Sequence, residues 1–326
     1  LTGTILTGAN LTEANLTGVD LTGKDLTGTI LTGVDLTGLE LSGVDLTSSI
    51  LTGFDLAGKD LTNTNLTGVD LAGRDLTSTI LIGVDLSGKD LTGTILTGAN
   101  LSRANLTGVD LVGKDLAGTI LTGADLSGKD LTGTILTSAN LTEANLTGVD
   151  LVGKDLTGTI LTGADLSNAN LIDANLTDAS LQNTDLRYTL LVDANLSNAV
   201  LTGADLTNAV LTSAILTNVN LENVVLTNTI LNCVSNPVCV STGNELSGKD
   251  FTGKKLAGID LFGMNLTGTI LAGADLTDAN LTGVDLSGKD LTGKKLVGVD
   301  LSGMDLTGTI LTGADLTDAI LTGADL

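Results

Sequence analysis

A leucine stands at every fifth residue of this chain. Of the 66 positions 1, 6, 11 and onward to 326, 63 are Leu; the exceptions are Asn236, Ser241 and Phe251. A period of five is neither the 3.6 of a helix nor the 2 of a simple strand. A helix would smear these leucines around its surface, and the 42 glycines would weaken it further. Period five suits a short extended segment, a corner, then another segment, with Gly, Asn and Asp supplying the corners. The blocks 81–120 and 121–160 are nearly identical and are built from words such as Gly-Val-Asp-Leu, Gly-Lys-Asp-Leu and Gly-Thr-Ile-Leu. A length of 326 residues would otherwise suggest two domains. A repeat array grows along one axis without splitting, so one array is expected instead.

Composition narrows the function. Hydrophobic residues make up 42% of the chain but aromatics only 1%, so the core is expected to be a regular stack of aliphatics. There is no His, which excludes Cys/His zinc sites and His-based catalysis. Neither a phosphate-binding glycine loop followed by a helix nor a nucleophile elbow is present. No catalytic residue, metal site or cofactor is read from the chain. The formal charge of −23 argues against a nucleic acid partner, which needs clustered Lys and Arg, and leaves a basic protein surface as the complementary partner. No apolar run reaches the length of a membrane span, and no signal peptide is visible.

Words such as Ala9-Asn10-Leu11-Thr12, Ala14-Asn15-Leu16-Thr17 and Ala124-Asp125-Leu126-Ser127 resemble the A(D/N)LXX motif of pentapeptide repeat proteins. The resemblance covers almost the whole chain. It implies an all-β fold, a right-handed quadrilateral parallel β-helix with four five-residue sides per coil. One solenoid over 1–326, of about 16 coils, is expected. By the same resemblance, the Leu and the residue two before it point inward, and the other three point outward. Reading every twentieth residue tests such a coil. One face runs Asn65, Asp85, Asn105, Asp125, Asn145, Asp165; another runs Ile80, Asn100, Ile120, Asn140, Ile160; a third runs Asp75, Ile95, Asp115, Ile135, Asp155. Carboxylates stacked about 4.8 Å apart repel, so the interleaving lowers a cost. The fourth face does not comply: Asp70, Asp90, Asp110, Asp130 and Asp150 run unbroken and form a candidate acidic binding stripe.

Lysine departs from the family pattern. The inward position two before Leu should be small, yet Lys24, Lys59, Lys89, Lys114, Lys129, Lys154, Lys249, Lys254, Lys289 and Lys294 occupy it, with Arg74. A lone buried ammonium is very costly. Either the preceding Gly relaxes the corner and the side chain leaves the core or snorkels outward, or the cations form an internal file with partners the sequence does not reveal.

Residues 161–231 lose the Lys words, and the outward position before Leu turns apolar at Leu190, Val200, Val210, Ile215, Val225 and Ile230, a candidate interface spread over several faces. The repeat then breaks over 232–245, which holds the only Pro and both cysteines; the phase of five survives, so an irregular loop is expected there. The spacing of Cys233 and Cys239 permits a local disulfide, and two free thiols remain the alternative. A disulfide would favour an extracellular or cell-surface setting over a cytoplasmic one.

Three readings of function follow. One is a non-catalytic structural or interaction rod: a filament or stalk subunit, or a scaffold, forming a homo-oligomer by end-to-end stacking of exposed coil edges. A second comes from the resemblance: some pentapeptide repeat proteins mimic a DNA duplex and protect type II topoisomerases from quinolones, which implies gyrase binding through Asp70 to Asp150. The helical dimerisation segment of several such proteins is missing from this sequence. The third is a passive carrier of a partner domain.

Overall fold

The computed structural model describes the chain except residues 1–3, 35–38, 54, 220, 222, 232–250, 252–255, 260, 262–265, 267 and 272. The loop expected over 232–245 and the pair Cys233 and Cys239 therefore lie outside the described residues. The chain divides into two compact units, Leu1–Asn145 and Leu146–Leu326.

Both units are built from one local motif. In the words among the described residues the N–H of the residue three after Leu donates to the Leu carbonyl, as Ala99 does to Leu96 at 2.9 Å. The residue two after Leu carries positive φ: +64° at Gly128, +60° at Asn198. A hydrogen-bonded turn with only its third residue left-handed is a type II turn, which explains why Gly, Asn and Asp dominate that place. The carboxylate or amide before Leu then receives the N–H two residues on, as when Thr92 donates to Asp90 Oδ1 at 2.8 Å. This Asx turn joins one corner to the next.

Words in successive coils pair through isolated parallel bridges at a constant offset of twenty residues, such as Ile80 with Asn100 and Asn100 with Ile120. Around such a bridge three backbone bonds recur. Leu101 N–H donates to Ile120 O at 2.7 Å, Arg103 N–H to Thr122 O at 3.0 Å, and Ile120 N–H to Ala99 O at 2.9 Å. All bridges among the described residues are parallel, and no helix occurs among them, so the protein is an all-β solenoid.

The core is as regular as the backbone. Leu81, Leu86, Leu121, Leu166 and Leu196 are fully buried, and so are Ala99, Ala139, Ala169 and Ala209 two places before a Leu. Burying each leucine contributes about 1.5–3 kcal/mol, the main term set against the entropy of ordering a glycine-rich chain. Thr also takes the inward place. Thr79 and Thr184 are buried, and each hydroxyl donates to the carbonyl of the Leu 23 residues earlier, Leu56 at 2.9 Å and Leu161 at 2.8 Å. That Leu carbonyl thus accepts twice, from its own turn and from the coil above.

Candidate functional site

Of the two expectations for the inward lysines, the second, inward cations with partners that the sequence does not reveal, describes Lys89, Lys114, Lys129, Lys289 and Lys294. Lys24, Lys59, Arg74, Lys89, Lys114, Lys129, Lys154 and Lys289 are half-buried and Lys294 is buried; Lys249 and Lys254 lie outside the described residues. The ammonium groups use backbone oxygens. Lys129 Nζ donates to Leu106 O at 2.6 Å and to Val109 O at 3.0 Å. Lys89 Nζ donates to Val69 O at 2.9 Å, Lys289 Nζ to Leu266 O at 2.5 Å, and Lys114 Nζ to Leu91 O. The acceptors Leu91, Leu106 and Leu266 lie 23 residues back, the very place a threonine hydroxyl uses. The inward expectation therefore holds for the stem, and the sequence alone did not reveal the partner. The buried threonines of the Gly-Thr-Ile-Leu words were the available signal for it, because they already mark the Leu carbonyl as a second acceptor.

Where a lysine reaches down, the backbone ladder beneath it is open. Among the described residues no bridge joins Asp90 to Asp70, Asp115 to Ile95, Asp130 to Asp110 or Asp290 to Ile270. Lys294 is the internal control. Its Nζ turns to Thr292 O in its own word at 3.2 Å, and the bridge below it, Asp275 with Lys295, is intact.

Two of these openings are cavities. In the first unit a cavity of ≈440 Å³ is lined by Lys89, Asp90, Leu91, Thr92, Asp110 and Lys114, among others. In the second unit a cavity of ≈450 Å³ is lined by Lys289, Asp290, Thr292 and Lys294 with Thr269 to Leu271. The first brings two ammonium groups to two carboxylates, so its lining carries no net charge. Hydrogen bonds from the Thr92 hydroxyl and N–H, with the Lys114 charge, hold the Asp90 carboxyl below its usual range. Burial pushes the Lys89 amine down, against the pull of Asp70 and Asp85.

The acidic stripe falls partly on this opened face. Asp70, Asp90, Asp110 and Asp130 are exposed in the first unit, and Asp150 is exposed in the second, where it pairs with Asn170. The six apolar candidates do not form one patch. Leu190, Val210 and Ile230 share a ladder, while Val200, Ile215 and Val225 pair with Ser180, Asn195 and Asp205 on three others. Leu190 and Val225 are exposed and the other four half-buried. Among the described residues no group of Cys, Asp and Glu could hold a metal ion, and no helix is long and apolar enough to cross a membrane.

Comparison with known proteins gives a consistent picture. Pentapeptide repeats match at residues 1–33, 21–53, 40–81, 60–98, 99–137, 139–178, 155–187, 179–210, 189–228, 255–293 and 295–326. The chain is similar to HetL, a pentapeptide repeat protein involved in heterocyst differentiation regulation from the cyanobacterium Nostoc sp. strain PCC 7120. That match is 31% identical over 78% of this chain and 90% of HetL, with a TM-score of 0.41. A pentapeptide repeat protein of the Arabidopsis thaliana thylakoid lumen is 35% identical over 31% of this chain and 66% of its own, with a TM-score of 0.25. QnrB1, a plasmid-mediated fluoroquinolone resistance protein, is 19% identical over 62% of this chain and 90% of its own, with a TM-score of 0.33. No curated protein matches. With repeats matched over residues 1–228 and 255–326 almost without a gap, and the leucines of those words buried between turns, the chain belongs to the pentapeptide repeat family.

Proposed function

We propose that this protein is a non-catalytic interaction rod whose coils, about 16 in a right-handed four-sided solenoid, stack end to end with those of a second copy to build a filament, stalk or scaffold. The observation that supports it most directly is the constant twenty-residue parallel register. Each coil edge offers the same alternation of N–H and C=O, so it is complementary to the next coil whichever chain supplies it. Light scattering across a concentration series is the test. Mass should rise with concentration, and a strictly monomeric species at the highest concentration overturns the reading.

A second reading, binding of a type II topoisomerase by DNA mimicry, is favoured by the exposed carboxylates at Asp70, Asp90, Asp110 and Asp130. It predicts salt-sensitive binding to gyrase and protection of supercoiling from a quinolone; neither effect at low ionic strength removes it. The same carboxylates suit any basic protein surface.

A further inference from the structure

We infer that Lys89, Lys114, Lys129 and Lys289 are wedges that hold neighbouring coils out of backbone register, and that their ammonium groups act as latches in place of the missing ladder. The geometry repeats four times. Each side chain enters at the inward place, its Nζ reaches a carbonyl of the coil below, and the bridge to that coil is absent. In regular words the acceptor that Lys89 Nζ takes, Val69 O, would receive the N–H of the following residue, as Ala99 O receives that of Ile120. The ammonium stands where that amide should.

The consequence falls on the amides of the seam. Around it, the N–H groups of Asp90, Leu91, Asp110 and Leu111 have no backbone partner, although Leu91 and Leu111 are buried as side chains. On another face of the same coils, Asn100, Leu101, Ile120 and Leu121 are all bonded, at 2.7–2.9 Å. An amide left without its bond is a weak point in an otherwise continuous ladder. The solenoid thus carries a compliant seam where Lys89 and Lys129 enter, on either side of the Asp90–Asp110 opening above which Val109 stands. That seam is keyed to an amine whose charge faces Asp70, Asp85, Asp90 and Asp110, with Lys114 as the like charge at its edge.

Residue-resolved hydrogen exchange on the full chain tests this. In the native protein Asp90, Leu91, Asp110 and Leu111 should exchange at least about tenfold faster than Asn100, Leu101, Ile120 and Leu121, the ratio for one bond of about 1.4 kcal/mol. Equal rates overturn the open seam. With Lys89→Ala, the inward place matches that of the closed words, and the Asp90 amide should slow by a similar factor. Unchanged or faster exchange in that folded variant overturns the wedge. Lys89→Met keeps the stem without the charge, so the seam should stay open and Tm should fall; a slowed Asp90 amide or an unchanged Tm overturns the latch.

Discussion

Residues 81–130 and 161–231 are made from the same five-residue word, yet their coils are held together differently. In 161–231 the inward place is filled mostly by Ala, and among the described residues bridges run without interruption along each face, as from Asn170 through Leu190 and Val210 to Ile230. In 81–130 that place holds Lys, Val and Thr as well, and one face, Asp90 to Asp130, carries no bridge at all. Their corners differ too. The first region turns on Gly almost throughout. The second turns on Asn168, Asp173, Asp178, Asn183, Asp193 and Asn198, all at positive φ. Asn198 Nδ2 donates to Asp178 Oδ1 at 3.0 Å and Asn218 Nδ2 to Asn198 Oδ1 at 3.1 Å, a side-chain ladder running beside the backbone one. The period of five therefore fixes the coil, while the inward residue bears on whether coils close on one another. Among the described residues, the openings between Ile50 and Asp70, Asn65 and Asp85, Asp90 and Asp110, Asn105 and Asp125, and Asp285 and Asp305 have no lysine at the inward place, and nothing in the structure explains them.

The largest effect should come from the leucine core. Leu171→Ala, in the closed region, is expected to cost about 2–5 kcal/mol, because fully bonded neighbours cannot collapse into the space. Leu91→Ala, bordering the seam cavity, should fall at the low end of that range, since the coils there are less constrained. Denaturant melts monitored separately in each region make the comparison, and equal losses would mean that the ladder does not govern local rigidity.

Next in size is a transplant. Ala169→Lys puts a wedge into the closed region, below which Asn170 N–H donates to Val149 O at 3.0 Å. A loss of about 1–3 kcal/mol is expected from burying part of a charged stem and breaking that bond. Exchange at Asn170 should rise with it; an intact Asn170 amide would show that lysine alone does not open a coil.

A smaller effect is expected at the corners. Asn198→Ala removes both side-chain bonds and leaves an L residue in the left-handed region, for about 1–2 kcal/mol. Asn198→Gly removes the bonds but relieves the backbone, so about 0.5 kcal/mol or less should remain. If Gly costs as much as Ala, the amide ladder and not the turn is what stabilises this region.

Much of this architecture is legible in the leucines alone. A period of five with a forty-residue echo is incompatible with a helix. Reading every twentieth residue aligns Ile80, Asn100 and Ile120, which the structure does bridge. The left-handed corner is legible too, because Gly, Asn and Asp share one place in the word. The fate of the lysines is not. Whether an ammonium finds an acceptor depends on a carbonyl 23 residues away that already serves its own turn, and only the threonines at the same inward place, such as Thr94 and Thr134, hint at its second lone pair. Nor does the unbroken run from Asp70 to Asp130 reveal that its coils lie unbridged. Its carboxylates accept from the next turn, as Asp110 Oδ1 does from Val112 N–H at 2.9 Å, so their turns look ordinary while the ladder behind them is missing.

Acid should separate the two regions by the smallest margin but the clearest sign. In and beside the first, hydrogen bonds hold carboxyls below their usual range: at Asp75 from the Thr77 hydroxyl and N–H, at Asp85 from the Ser87 N–H and hydroxyl, at Asp90 from the Thr92 hydroxyl and N–H. A carboxylate whose folded pKa is depressed contributes stability present above its unfolded value, about 3.9, and lost as pH falls through the folded one. In 161–231 many of the same turns are closed by amides. Asn175 Oδ1 accepts from Thr177 N–H at 3.2 Å and Asn195 Oδ1 from Ser197 N–H at 3.0 Å, and neither titrates. Asp185 is the exception, held down chiefly by its hydrogen bonds from Arg187. Below about pH 4, residues 71–130 should therefore loosen before 161–231, read as earlier pepsin cleavage in the first region. The triple variant Asp75→Asn, Asp85→Asn, Asp90→Asn should shift that onset to lower pH. Simultaneous cleavage of both regions, or an onset the variant does not move, would mean that the Asx turns contribute nothing to the difference between them.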